Sequence, residues 1–304
     1  MNNEEYLENR LRNTVMYSAI KDMLAKINTL PYVIIKGAPL SNYLYGDPNI
    51  RKSVDIDILT DLNTALIIEK IFLEYGFMHR HLQDRTSQRM NRILCLNFSH
   101  QLPPLYNKSG TCNLDINHSL FWGEYKGLKI DIIDFISDAV FTEFYGCRVK
   151  TLSYMKMFIQ FALHTYRDMN SIFLLSTRRK INATALDELC IYLKQNNTKI
   201  ELNSLYKFSI ENQIDHYIYY ILYHMSLLCD DPIVKIFSDT FRSNRGELLL
   251  NQYGLNEKRK KYWHCNFSER LQSEDVYELI KTDLEDEDLK EIALNKKIFL
   301  GIEE

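Results

Sequence analysis

Cysteine is scarce and unclustered. Six are spread through 304 residues (Cys95, Cys112, Cys147, Cys190, Cys229 and Cys265), with no C-x-x-C pair and no zinc-like Cys/His spacing. That excludes a zinc module and a disulfide-stapled scaffold. With no signal peptide either, the thiols are expected to be reduced and the protein cytoplasmic. Apolar runs of the roughly 20 residues that a membrane span needs are also absent. Neither sign of charge dominates: 37 Lys and Arg stand against 40 Asp and Glu, a net charge of -3. The whole chain therefore has no field that would draw it to nucleic acid or to a membrane. Local basic patches remain available in "STRRK" (176–180) and "NEKRKK" (256–261), while "DLEDEDLKE" (283–291) reads as a solvated helix face.

With 46% hydrophobic and 25% charged residues, the composition is that of a soluble globular protein with a sizeable core. The opening stretch carries Leu11, Val15, Ala19 and Met23 at helical spacing, which predicts an amphipathic helix. "PYVIIKG" is a short β-branched strand ending at Gly37, "APLSNYLYG" a short helix, and "VDIDILT" a second strand. Asn63 is a candidate N-cap for a helix running to Tyr75 and stopped by Gly76. Residues 77–135 read as a strand meander through "RILCLNFS", "TCNLDINHSLFW" and "LKIDIID", with "QLPPLYNKSG" as a connecting loop. From about Leu152 the periods turn helical, glycine nearly vanishes and Pro232 is the one proline. The expectation is a mixed domain over 1–150 and an all-helical domain over 151–304.

"KSVDIDILTD" (52–61) places Asp55 and Asp57 one residue apart inside an apolar run. In a strand, residues i and i+2 share a face, so the two carboxylates point together while Val54, Ile56 and Ile58 point to the core. A D-x-D on a surface turn is common and needs no function. Burial changes that, because two buried carboxylates require a counter-charge. Two divalent ions, roughly 3.5–4 Å apart, would supply it and clamp a phosphoryl displacement. Magnesium suits a site of few carboxylates plus substrate phosphates, with manganese as an alternative. Before the pair, the strand ending at Lys36 and Gly37 feeds a helix, exposing backbone N–H groups to a phosphate. Arg51 lies on the other side of that turn. The spacing is not that of a P-loop.

The stretch "VIIKGAPLSNYLYGDPNIRKSVDIDILT" resembles the signature of nucleotidyltransferases of the DNA polymerase beta superfamily. The likeness is to poorly characterised bacterial members, on Lys36, Gly37, Leu40, Leu44, Tyr45, Asp47, Pro48, Arg51, Asp55, Asp57 and Leu59. It covers most of 30–165. The resemblance implies a third carboxylate on a neighbouring strand, at the place of Asp115, with Asp131 and Asp134 as rivals. Such relatives read D-h-H at that strand, where this chain has Asn117 and then His118. They also carry a histidine on the first helix after the catalytic domain, at the place of His164. A histidine bonded at a helix contact is the plainer alternative there.

The expected fold is therefore α+β, a small mixed sheet with an N-terminal helix, followed by helices that close a substrate cleft. The expected chemistry moves a nucleoside monophosphate from a nucleoside triphosphate to a hydroxyl or phosphate acceptor. Asp55, Asp57 and Asp115 would hold two Mg2+ ions. Lys36, Arg51 and the amides of Gly37 and Ala38 would hold the triphosphate, with Asn117 and His164 on the substrate side. The favoured acceptor is a small molecule or peptide. Transfer to RNA ends or to a protein is the alternative, and a non-catalytic nucleotide-binding module is a third.

Overall fold

The computed structural model describes residues 2–79 and 85–300. The chain divides into two compact units, Met1–Trp122 with Lys129–Met157, and Gly123–Leu128 with Phe158–Glu304.

The first unit opens with α1 (Asn3–Ile27), started by a capping box in which Asn2 and Glu5 exchange side-chain and backbone hydrogen bonds. Its elements continue as β1 (Val33–Ile35), α2 (Gly37–Tyr45), β2 (Ile56–Leu59), α3 (Leu62–Glu74), β3 (Met78–His79) and α4 (Arg85–Phe98). Then come β4 (Leu105–Tyr106), β5 (Asn113–Asn117), the short α5 (Ile132–Phe135), β6 (Val140–Phe144) and β7 (Cys147–Thr151). The seven strands form one mixed sheet in the order β3-β4-β5-β2-β1-β7-β6, with β2–β5 and β1–β7 parallel. Tyr145 and Gly146, both at positive φ, make the two-residue turn that joins β6 to β7.

Strand alternation decides what each face carries. Ile34, Ile56, Ile58, Leu114 and Ile116 join a core with Met16, Ile20 and Leu24 of α1 and Ala65, Ile68 and Phe72 of α3. The intervening residues of β2 and β5, among them Asp57, Asp115 and Asn117, therefore lie on the opposite face.

Several local expectations are corrected. The buried stripe of α1 is rotated from the expected one. Leu11 is 67% exposed, and Asn9 and Asn13 turn inward to bond the carbonyls of Asn49 and Pro48. Val54 is 56% exposed, because regular strand begins only at Ile56. "RILCLNFS" belongs to the helix α4, where Arg92 grips Glu69 of α3 with two 2.6 Å bonds. A short apolar run looks the same in either state, and the polar stretch before it extends the helix. Asp61 caps α3 in place of Asn63. "LKIDIID" is no strand: Asp131 caps α5 by accepting from the Asp134 backbone N–H at 3.1 Å. The loop "QLPPLYNKSG" contains β4.

The second unit takes the greater part of α6 (Tyr154–Asn170), then α7 (Ile172–Arg178), α8 (Thr184–Asn196), α9 (Leu202–Glu211), α10 (Asp215–Leu228), α11 (Pro232–Phe241) and α12 (Asn244–Leu249). A small hairpin of β8 (Gln252–Tyr253) and β9 (Lys261–Tyr262), which helical periodicity did not reveal, precedes α13 (Phe267–Gln272), α14 (Tyr277–Ile280) and α15 (Asp286–Leu300). Three tyrosines of α10, Tyr217, Tyr219 and Tyr220, are core: Tyr217 and Tyr220 lie against Tyr166 with ring centroids 4.5 and 5.0 Å apart. Residues 123–128 add Tyr125, packed edge-on to Tyr217, and Glu124, whose carboxylate accepts from Ser171 and Asn295. All six cysteines are free thiols, and among the described residues no helix is long and apolar enough to cross a membrane.

Candidate active site

β2 and β5 run parallel with Asp57 opposite Asp115 and Leu59 opposite Asn117. The register thus sets one acid of the D-x-D beside a third acid on the neighbouring strand. Asp55 precedes β2 and interacts electrostatically with both. Asp131 and Asp134 lie off the sheet, exposed at the two ends of a helical turn.

Asp57 is 4% exposed, and two donors converge on its Oδ1: Lys36 Nζ at 2.8 Å and Asn117 Nδ2 at 3.2 Å. Asn117, itself 2% exposed, also donates to the Ile58 carbonyl at 3.2 Å. It anchors the strand and the orientation of Asp57 together.

Lys36 and Gly37 form a sharp connection from β1 into α2. Gly37 has φ 43°, and a β-carbon there would meet Ser53 Oγ at 2.8 Å. Lys36 has φ 57° and ψ -152°, at the edge of a region that glycine alone populates freely. Such a residue stores about 1–3 kcal/mol of strain and persists only where its surroundings over-determine it. The ion pair to Asp57 is one such constraint. The loop after α2 is built as firmly. Asp47 accepts from Tyr6 Oη and from both the backbone and side-chain N–H of Asn49. Ser41 Oγ donates to the Asp47 carbonyl and accepts from the Arg51 backbone N–H. Ser53 Oγ donates to the Asp55 carbonyl. Asp47, part of the recognised signature, thus shapes the path to Arg51 and Asp55 rather than facing the acids.

Charge in the cluster is under-compensated. Burial and then the charge of Asp57 push the Asp55 carboxyl up to about 6, against a partial offset from Lys36. Burial, Asp57 and Asp55 push Asp115 up to about 7, with Lys36 and a hydrogen bond from Gln101 opposing. Among the described residues no three His, Cys, Asp or Glu side chains are grouped so as to hold a metal ion as they stand. The donor set nonetheless fits a hard divalent cation: carboxylate oxygens only, in adjacent register, with unmet negative charge.

His164 belongs to the second unit, where its Nε2 lies 3.3 Å from Arg167 Nη2 and 3.6 Å from Asp168 Oδ2. Sequence reasoning missed Ser53 and Gln101. Neither sits in a run with a signal of its own, since both act through loop closure.

Asp57 and Asp115 thus lie side by side on parallel strands, with Asp55 just before β2 and the tight Lys36–Gly37 turn after β1. The chain belongs to the family of uncharacterised nucleotidyltransferases, which matches residues 3–230. That membership implies a general role in nucleotidyl transfer and a nucleotide substrate. No curated protein and no solved structure matches the chain.

Proposed function

We propose that the protein transfers a nucleoside monophosphate from a nucleoside triphosphate to a hydroxyl or phosphate group of a small molecule or peptide. The observation that carries this is the register of β2 and β5, which sets Asp57 beside Asp115 on the face opposite the core. Asp55, Asp57 and Asp115 would hold divalent cations, Mg2+ or Mn2+, which when bound supply charge neutralisation and Lewis acidity at the phosphate. Lys36, Arg51 and the amides of Gly37 and Ala38 receive the triphosphate at the start of α2, a helix long enough to present its free N–H groups. Asp115, beside Asp57 across the parallel strand pair, takes the proton from the acceptor hydroxyl. The acceptor oxygen bonds to the α-phosphorus, the bond to the bridging oxygen breaks, and pyrophosphate leaves. Asn117 keeps Asp57 oriented throughout.

The test uses each α-32P-labelled nucleoside triphosphate in turn, with Mg2+ and fractionated cell extract, for the wild type and for Asp57→Asn and Asp115→Asn. A labelled product is expected with the wild type, none with Asp57→Asn, and one formed roughly 10²–10⁴-fold more slowly with Asp115→Asn, as for loss of a general base. Equal labelling by Asp57→Asn would overturn the assignment.

A further inference from the structure

Lys36 is doubly unusual: its backbone is strained, and its ammonium sits where a metal-bound carboxylate would need a metal. Nζ is 2.8 Å from Asp57 Oδ1, in a pair whose acid side chain is 5% exposed and whose lysine side chain is 24% exposed. The acid is fixed, whereas the base has a way out to solvent.

We propose that Lys36 is a placeholder cation: it neutralises Asp57 in the metal-free protein and yields Oδ1 when a divalent cation arrives, which frees the ammonium for the accompanying triphosphate. This rests on reading Asp55, Asp57 and Asp115 as a nucleotidyl-transfer site. Three features support it. An ammonium and a divalent cation at one carboxylate oxygen repel each other strongly, so a cation bound at Oδ1 weakens the hold of Asp57 on Lys36. Asn117 Nδ2 keeps its own 3.2 Å bond to the same oxygen, so the carboxylate retains its direction when Lys36 leaves. The backbone at Lys36 has φ 57° and ψ -152° and is followed by Gly37 at φ 43°, so the lysine that makes the pair also sits in a strained turn. Lys36 is thus a positioning residue in the resting protein and a phosphate ligand in the loaded one. The order is built in: a triphosphate arriving without a cation finds the lysine engaged.

The test reads metal binding without nucleotide, by electron paramagnetic resonance of Mn2+ titrated into the full chain. A placeholder lowers apparent affinity by the fraction of time it holds the site, so Lys36→Met should bind Mn2+ about tenfold tighter or more. Lys36→Arg, which keeps a cation at the pair, should bind as weakly as wild type. In parallel, the wild-type Lys36 ammonium is followed by ¹⁵N NMR, assigned by its loss in Lys36→Arg. A protected signal is expected without metal and should vanish into solvent exchange on saturation with Mg2+. If the signal persists at saturation, or if Lys36→Met binds no tighter while Asp57→Asn still weakens Mn2+ binding, the placeholder role is wrong and the metal site stands. If Asp57→Asn and Asp115→Asn leave Mn2+ binding unchanged, the site itself is misassigned and the placeholder falls with it.

Discussion

Asn117 reaches both Asp57 and the Ile58 carbonyl with its amide from a buried position. Removing it leaves a buried carboxylate with one donor fewer. Asn117→Ala should therefore cost about 1–3 kcal/mol in urea denaturation, the penalty of a buried polar group left short of partners. Turnover should fall with it, because Asp57 loses the tether that directs it. Arg51 belongs to the same scale, on the proposed triphosphate side. Its backbone is fixed by Ser41 Oγ at 3.0 Å, so its side chain starts from a defined position. Arg51→Ala should weaken binding of a nucleoside triphosphate far more than that of the nucleoside. Equal losses in calorimetric titrations would remove Arg51 from the phosphate site.

Among the elements, the β1–α2 connection bears the tightest geometry. Gly37→Ala meets two separate obstacles, the positive φ and the Ser53 hydroxyl at 2.8 Å from the added carbon. The substitution should cost ~1–2 kcal/mol in thermal unfolding, and Ser53→Gly in the same chain should return only the steric share. Full recovery would mean that φ +43° carries no strain. This connection was legible in the sequence because glycine at the end of a β-branched strand, ahead of a helix, has few other readings. The D-x-D strand was legible for the same kind of reason, through alternation. What failed were elements whose pattern is shared by two states. "RILCLNFS" has the length and apolarity of a strand, and it is helix because the polar stretch before it continues into α4, which Arg92 pins to Glu69 of α3. The inward Asn9 and Asn13 defeated the reading of α1, since polarity marks a surface face unless a loop supplies acceptors. Gln101 and Ser53 reach the site through folding of loops, which no local period encodes.

At the scale of the whole molecule, Glu124 is a buried titratable side chain outside the site. Burial, and then the charge of Glu291, push its carboxyl up to about 8, while Ser171, Arg167 and Lys126 oppose. The folded chain therefore keeps this proton through a range where the unfolded chain has released it near the ordinary value of 4.5. Native protein binds more protons between those limits, so stability falls as pH rises from about 4.5 to about 8. The decline should be on the order of 5 kcal/mol. Glu124→Gln, which keeps the side-chain shape and hydrogen-bonding capacity, should flatten it in urea melts at pH 5 and pH 8.5. An unchanged slope would mean that Glu124 is ionised in the fold.

The same residue sets a schedule for synthesis. Residues 123–128 belong to the second unit, although the chain then returns to the first for 129–157. The bond from Asn295 to Glu124 spans 171 residues. At 5–20 residues per second, a ribosome needs on the order of 10–30 s to deliver that partner. β6 and β7 are made early in that interval, while Glu124 lacks its Asn295 partner until the end of it. An ionisable glutamate suits the wait: with the ordinary value of 4.5 it is charged and hydrated on the unfolded chain at neutral pH, and it takes up its proton on burial.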